Sequence, residues 1–266
     1  MKTIALGYHD VIGAGSPPDA SGFPGPTAAR YKLDAEEFGR HLSAIAEVHA
    51  PVLADARTLG AKSSGPIPLI LTFDDGGAGA LAAADLLGRY GWGGHFLITV
   101  GRIGTNGFLD KEGVRELRRR GHVVGSHSCT HPERMSLLTP EAQRDEWTKS
   151  VLILSDMLGE QVDVASVPGG YYSPVVARTA SASGIRTLFT SEPTSRLHDV
   201  DGCLVVGRYS VLRGTSPSAV AAIASGRFPP RLRQTLLWNA KKTAKFVGGE
   251  SYLKVRRFII ARGGQS

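Results

Sequence analysis

An α/β fold built on a mostly parallel sheet, either open or closed into a barrel, is what this sequence predicts. Three observations carry that reading. Short apolar runs rich in β-branched residues alternate with helix-like segments. Hydroxyl or carboxylate side chains, often followed by proline, mark where helices begin. The chain has 266 residues, 42% of them hydrophobic, which suits one large domain with a sizeable core.

The first strand is read over 3–8, TIALGY. A Gly- and Pro-rich loop follows at 13–30. A loop this long in a compact domain either borders a functional face or lies free on the surface. Asp34 and Glu37 resemble a capping box ahead of the helical run FGRHLSAIAEV. A short strand is placed near 51–53, and further strands at 68–73, 94–99, 122–126, 162–167, 185–190 and 203–206. A helix over 111–120 stops at Gly121, where glycine easily adopts the left-handed cap. Thr139-Pro140, Ser173-Pro174 and Ser216-Pro217 each set a capping hydroxyl before a proline at the first helical position. In such folds ligands gather at the C-terminal ends of the strands.

Composition narrows the function classes. No stretch approaches the roughly 20 apolar residues of a membrane-spanning helix. The opening run reaches Tyr8, His9 and Asp10 too soon for a secretory signal, so a cytoplasmic protein is expected. Cys129 and Cys203 do not amount to a disulfide framework. The net charge is +7, but residues 227–266 hold ten Lys/Arg against one Asp/Glu, so the remainder is weakly acidic. The chain therefore divides into a domain over 1–226 and a basic, helical extension over 227–266. Within 231–247, Leu236, Leu237, Ala240, Ala244 and Val247 share one helix face, with Lys241, Lys242 and Lys245 beside it. Such a helix packs on the domain, binds an acidic or lipid-linked partner, or lies against an anionic inner membrane face. Nucleic acid is not an expected partner, because no recognition motif accompanies the charge.

The chemistry gathers at two strand ends. Strand 68–73 runs into Asp74 and Asp75, and strand 122–126 runs into GSHSCTH with His127 and His131. Spacing of four residues puts both imidazoles on one side of a helical turn. Two histidines and one carboxylate form a divalent-metal site with a position left open for water. One aspartate can ligate while its neighbour serves as a base. Cys129, two residues from either histidine, is read as pointing away from that site.

The stretch LTFDDG, followed about fifty residues later by GHVVGSHSCTH, resembles the polysaccharide deacetylase family, the NodB-homology domain of carbohydrate esterase family 4. GWGGHFLITVG is similar to its second core strand, and YHDV to the opening of a subgroup that includes exopolysaccharide deacetylases. The resemblance spans roughly residues 3–190. It implies a distorted (β/α) barrel and metal-dependent removal of acetyl from an N-acetylated sugar. By position, it makes Asp74 the catalytic base and Asp75, His127 and His131 the metal ligands, with Ser128 bracing their loop. Zinc suits that donor set.

Two departures from the family pattern matter. Its third motif reads Arg-x-Pro-Tyr-Gly, but here the stretch is SVPGGYYSP, with Ser166 in place of the arginine and Gly169 in place of the tyrosine. The Gly169 N–H can still serve as an oxyanion donor, a role that needs no side chain. Arg208, in VVGRYSV, is a candidate for the lost arginine or for substrate contact; Tyr171 and Tyr172 are candidates to line the sugar site. The family also supplies a general-acid histidine late in the chain, yet no histidine follows His198. His198 and His9 are the replacement candidates, with His9 alternatively a substrate contact. The leading expectation is thus a cytoplasmic N-acetyl-sugar deacetylase acting on an oligosaccharide or a lipid- or nucleotide-linked sugar. An amidase for non-sugar, including cyclic, amides is one alternative. A non-catalytic carbohydrate-binding protein that keeps the metal site is the other.

Overall fold

Most of the apolar runs fold as strands, and helices follow where the caps predict them. The computed structural model describes residues 2–13, 15–48, 55–59 and 67–227, together with 231, 232, 234–236 and 238 of the extension. The strands are β1 (Ile4–Tyr8), β2 (Asp10–Ile12), β3 (Lys32–Asp34), β4 (Leu69–Phe73), β5 (His95–Ile98), β6 (Val123–Ser126), β7 (Val164–Ser166), β8 (Thr187–Phe189), β9 (Leu197–Val200), β10 (Cys203–Val206) and β11 (Tyr209–Ser210). The helices are α1 (Pro26–Ala29), α2 (Ala35–Val48), α3 (Ala80–Gly88), α4 (Lys111–Arg119), α5 (Pro140–Leu158), α6 (Pro174–Ala182) and α7 (Pro217–Ala224). The predicted caps form as hydrogen bonds: Thr139 to Ala142 N–H, Ser173 to Val176 N–H, and Ser216 to Ala219 N–H. Asp34 likewise accepts from Glu37 N–H at 2.7 Å.

The main sheet runs β11-β1-β4-β5-β6-β7-β8-β10-β9, parallel throughout except for β9. One stretch of chain links the β8–β10 side of the sheet to its β11–β1 side. Residues 204–206 pair with β8, and residues 209–210 pair with β1. The path 203–210 thus closes the curled sheet into the distorted barrel that the resemblance implies. Both sheet faces are covered, which is why the strands read as unbroken apolar runs. Ala5, Ile70, Leu97, Val164, Phe189 and Val206 pack together on one face. On the other, Tyr8, Phe73 and Phe96 stack across β1, β4 and β5 at 5.5 and 4.7 Å between ring centres, with Phe38 of α2 edge-on to Tyr8 and Phe73. Alternation along β4 therefore carries Ile70, Thr72 and then Asp74 toward the enclosed face.

Several features were not legible beforehand. β2 and β3 form a separate two-stranded parallel sheet. The 13–30 loop is not free: Lys32 Nζ donates to Pro18 O (2.7 Å) and Phe23 O (2.6 Å), and Gly22 N–H donates to Gly107 O (2.7 Å). His198, expected in a polar loop, lies in β9, because 197–200 pairs antiparallel with β10. The strand expected near 51–53 lies outside the described residues, as do Leu237, Ala240, Lys241, Lys242, Ala244, Lys245 and Val247 of the extension. The described part of the extension docks on the domain: Arg231 donates to Tyr209 Oη (2.9 Å) and Ser195 Oγ (2.7 Å), and Thr235 Oγ1 donates to Pro193 O (2.9 Å).

Candidate metal centre and active site

Asp74 and Asp75 leave β4 in opposite roles. Asp75 has φ 76°, so the chain turns sharply between the two carboxylates and sends them different ways. Asp74 is buried and bidentate to Arg208: Nη1 to Oδ1 and Nη2 to Oδ2, both 2.7 Å. Ser166 Oγ donates to the same Oδ1 at 3.0 Å. Burial, the largest single influence, would raise the Asp74 carboxyl, but the Arg208 charge, His127 and the Arg208 hydrogen bonds together outweigh it and hold the group well below the usual carboxylate range. Arg208 is itself fixed by donating to Thr190 O (3.1 Å) and Thr72 Oγ1 (3.0 Å). Only 2% of its surface is exposed. Arg208 is therefore the partner of the base, and its candidacy as a substrate contact is corrected: the buried guanidinium makes four hydrogen bonds, to Asp74, Thr72 and Thr190.

Asp75 faces the two histidines. Its Oδ1 lies 3.4 Å from His127 Nε2 and 3.6 Å from His131 Nε2. Ligand atoms of the three residues all fall within 4.8 Å of one another. The imidazoles meet with ring centres 5.0 Å apart, yet not on the helical turn the spacing suggested. Ser128 (φ 65°) and His131 (φ 59°) are left-handed, and the loop folds back on itself. Ser128 Oγ accepts from His131 N–H at 3.0 Å, the bracing role the resemblance implies. Glu146 of α5 accepts from the N–H groups of Cys129 (2.9 Å) and Thr130 (2.8 Å) and from Thr130 Oγ1 (2.6 Å). Burial pushes the Cys129 thiol up, the opposite of what a metal thiolate needs.

This donor set fits a divalent cation. Burial pushes His127 down to about 3, so the ring is neutral, as a ligand must be. Its Nδ1 is engaged by Ser166 (Oγ at 2.6 Å), which leaves Nε2 for a metal. Burial lowers His131 in the same way. Burial also raises Asp75 to about 6, and Asp74 adds to that; a bound cation would offset both effects. Two imidazoles and one carboxylate form an open three-ligand site.

The other candidates are spread around this centre. His9, at the end of β1, is half-buried against Tyr31 with ring centres 4.3 Å apart. Its Nδ1 is buried without a hydrogen-bond partner. The Asp75 carboxyl, raised first by burial, is pulled back by His9, and Asp74 feels the same ring. His198 is exposed on the edge strand β9, with Nε2 3.2 Å from Tyr172 Oη. Tyr171 lies under Arg134, whose guanidinium carbon is 5.7 Å from the ring centre. Gly169 has φ 64°, and a Cβ there would stand 2.8 Å from Glu133 O, so both conformation and space require glycine. Phe23, from the Gly/Pro-rich loop, packs on His131 at 4.7 Å and gives that loop a place at the site. Sequence reasoning missed Thr190 and Glu146, which lie in no motif, gave no role to Thr72 although it lies within LTFDDG, and gave Ser166 no role of its own.

Residues 61–188 match the family model described as polysaccharide deacetylase. YxkH of Bacillus subtilis (strain 168), whose name assigns it to the polysaccharide deacetylases, is 29% identical over 155 residues, covering 58% of this chain and 55% of that relative. This chain thus aligns with just over half the length of its curated relative. The Streptococcus pyogenes deacetylase PplD, solved with acetate, superposes with a TM-score of 0.67 at 20% identity over 82% of this chain and 95% of that one. IcaB from Ammonifex degensii gives 0.66 at 20% identity over 85% and 97%. These structural likenesses establish the fold. The two strand-end motifs and the barrel agree with that match, so residues 61–188 are similar in sequence, and the chain in fold, to the polysaccharide deacetylases.

Proposed function

We propose that this chain is a metal-dependent hydrolase that removes acetyl from an N-acetylated sugar of a polysaccharide or glycolipid. One observation carries the reading: two adjacent carboxylates are split between an arginine and a pair of neutral histidines. Asp75, His127 and His131 would hold the cation. When bound, it would supply Lewis-acid polarisation of the amide carbonyl and acidify a water. Asp74, kept anionic by Arg208, takes up the proton of the attacking water. The Gly169 N–H would serve as the oxyanion donor, the role the resemblance gives that position. Water adds to the carbonyl, the C–N bond breaks, and acetate and a free amine leave.

That amine needs a proton, and position favours His9 as the donor. It stands at the C-terminal end of β1, beside the strand that carries Asp74, whereas His198 is on the solvent side of an edge strand. The cytoplasmic placement and the membrane contact of the basic tail remain part of this proposal; cell fractionation with and without residues 227–266 checks both.

The test is acetate release from N-acetylglucosamine oligomers and from lipid- and nucleotide-linked N-acetyl sugars. Metal-loaded wild type is expected to release acetate, and chelated protein and Asp74→Asn are not. His9→Gln is expected to lose kcat by about 100-fold, within the usual range for a general acid, while His198→Gln stays near wild type. No release from any of these sugars with metal bound would overturn the reading in favour of a non-sugar amidase or a binding protein.

A further inference from the structure

One buried hydroxyl sits between the base and the metal ligands. Ser166 ends β7 and has no solvent exposure. Its Oγ lies 3.0 Å from Asp74 Oδ1 and 2.6 Å from His127 Nδ1. The same Nδ1 also faces the Ser166 carbonyl oxygen at 3.2 Å. A carbonyl only accepts, so Nδ1 carries a hydrogen. Ser166 Oγ then accepts from Nδ1–H, and its single hydrogen goes to Asp74. The other end agrees, because a carboxylate paired with Arg208 only accepts. Hydrogen on Nδ1 leaves the lone pair on Nε2, the atom that faces Asp75 at 3.4 Å.

We propose that Ser166 is a positioning residue that ties Asp74 to His127 through one hydroxyl and holds His127 in the tautomer whose Nε2 can ligate a divalent cation. It rests on the metal-site part of the proposed function and not on the sugar. Chemistry explains why the arginine of the family motif is not needed here. Arg208 reaches Asp74 from the other side of the barrel. A second arginine at position 166 would offer His127 Nδ1–H only donors, whereas a hydroxyl accepts and donates at once.

Chelator competition with Zn2+ tests this without any substrate. Ser166→Ala is expected to weaken Zn2+ binding roughly tenfold, the low end for loss of a partner behind a ligating histidine, with little change in the unfolding midpoint of the metal-free protein. Ser166→Thr keeps the hydroxyl and should recover most of the affinity. Histidine 15N spectra of the metal-free wild type should show the His127 hydrogen on Nδ1. Wild-type affinity in Ser166→Ala, no recovery in Ser166→Thr, or the hydrogen on Nε2 would each overturn the proposal. None of these readouts depends on acetate release, so they stand even if the deacetylase reading fails.

Discussion

Arg208 and Asp74 form an ion pair in which both side chains are nearly sealed from solvent. A buried pair is a weak source of net stability, but breaking one is costly because a charge is left without its partner. Arg208→Ala is expected to destabilise the protein by about 3–5 kcal/mol in urea unfolding. Arg208→Lys should recover only part of this, since an ammonium cannot make the bidentate contact or reach Thr190 and Thr72 together. Equal unfolding free energies for wild type and Arg208→Ala would show that the pair is not what holds β4 to the β10–β11 link. In sequence, Arg208 was a candidate for either the lost arginine or a substrate contact. Nothing local distinguishes it, because its four hydrogen bonds all go to residues distant in the chain.

At the scale of elements, the strand-end loop 127–131 shows how a helix serves a site it does not enter. Two of its residues are left-handed without being glycine, a conformation that persists only when the surroundings over-determine it. Glu146, one helix away, supplies much of that determination by collecting three donors from the loop. Glu146→Ala is expected to weaken Zn2+ binding several-fold while α5, capped by Thr139 and packed through Trp147 and Leu154, stays folded. Circular dichroism with chelator competition separates the two effects; unchanged affinity would remove Glu146 from the account. The helix starts could be read from sequence because a cap is local, within three or four residues. β9 and the β2–β3 pair could not. The polar segment 197–200 reads as a loop until β10 offers it hydrogen bonds, and the Gly/Pro-rich run hides the return of the chain to Lys32.

For the whole molecule, the buried histidines make folding depend on pH. His122 accepts from Gly94 N–H through Nδ1 at 3.1 Å, so the fold needs its neutral form. Burial lowers it from 6.5 to about 4, and Arg120 adds to that. A group depressed in the fold takes up protons more readily when unfolded. Its contribution is complete above 6.5 and is lost as pH falls from there to about 4. Metal-free protein should therefore show lower unfolding free energy at pH 5 than at pH 7.5. The slope should shrink in His122→Asn, and an unchanged slope would assign the whole dependence to the other depressed histidines, His95 among them.

Local patterns along the chain were enough to place the alternation of strand and helix, the helix starts, and Asp74, Asp75, His127 and His131 at two strand ends. Each of those signals is local: a side-chain period, a cap, or a short spacing. It took the folded chain to show that Arg208, 134 positions along, pairs with Asp74. The fold also sets Ser166 between the base and a ligand, and His9 rather than His198 beside the carboxylates. The reason is barrel closure. The path 203–210 joins the last strands to β1 and brings separate strand ends to one point, a convergence that no local pattern encodes.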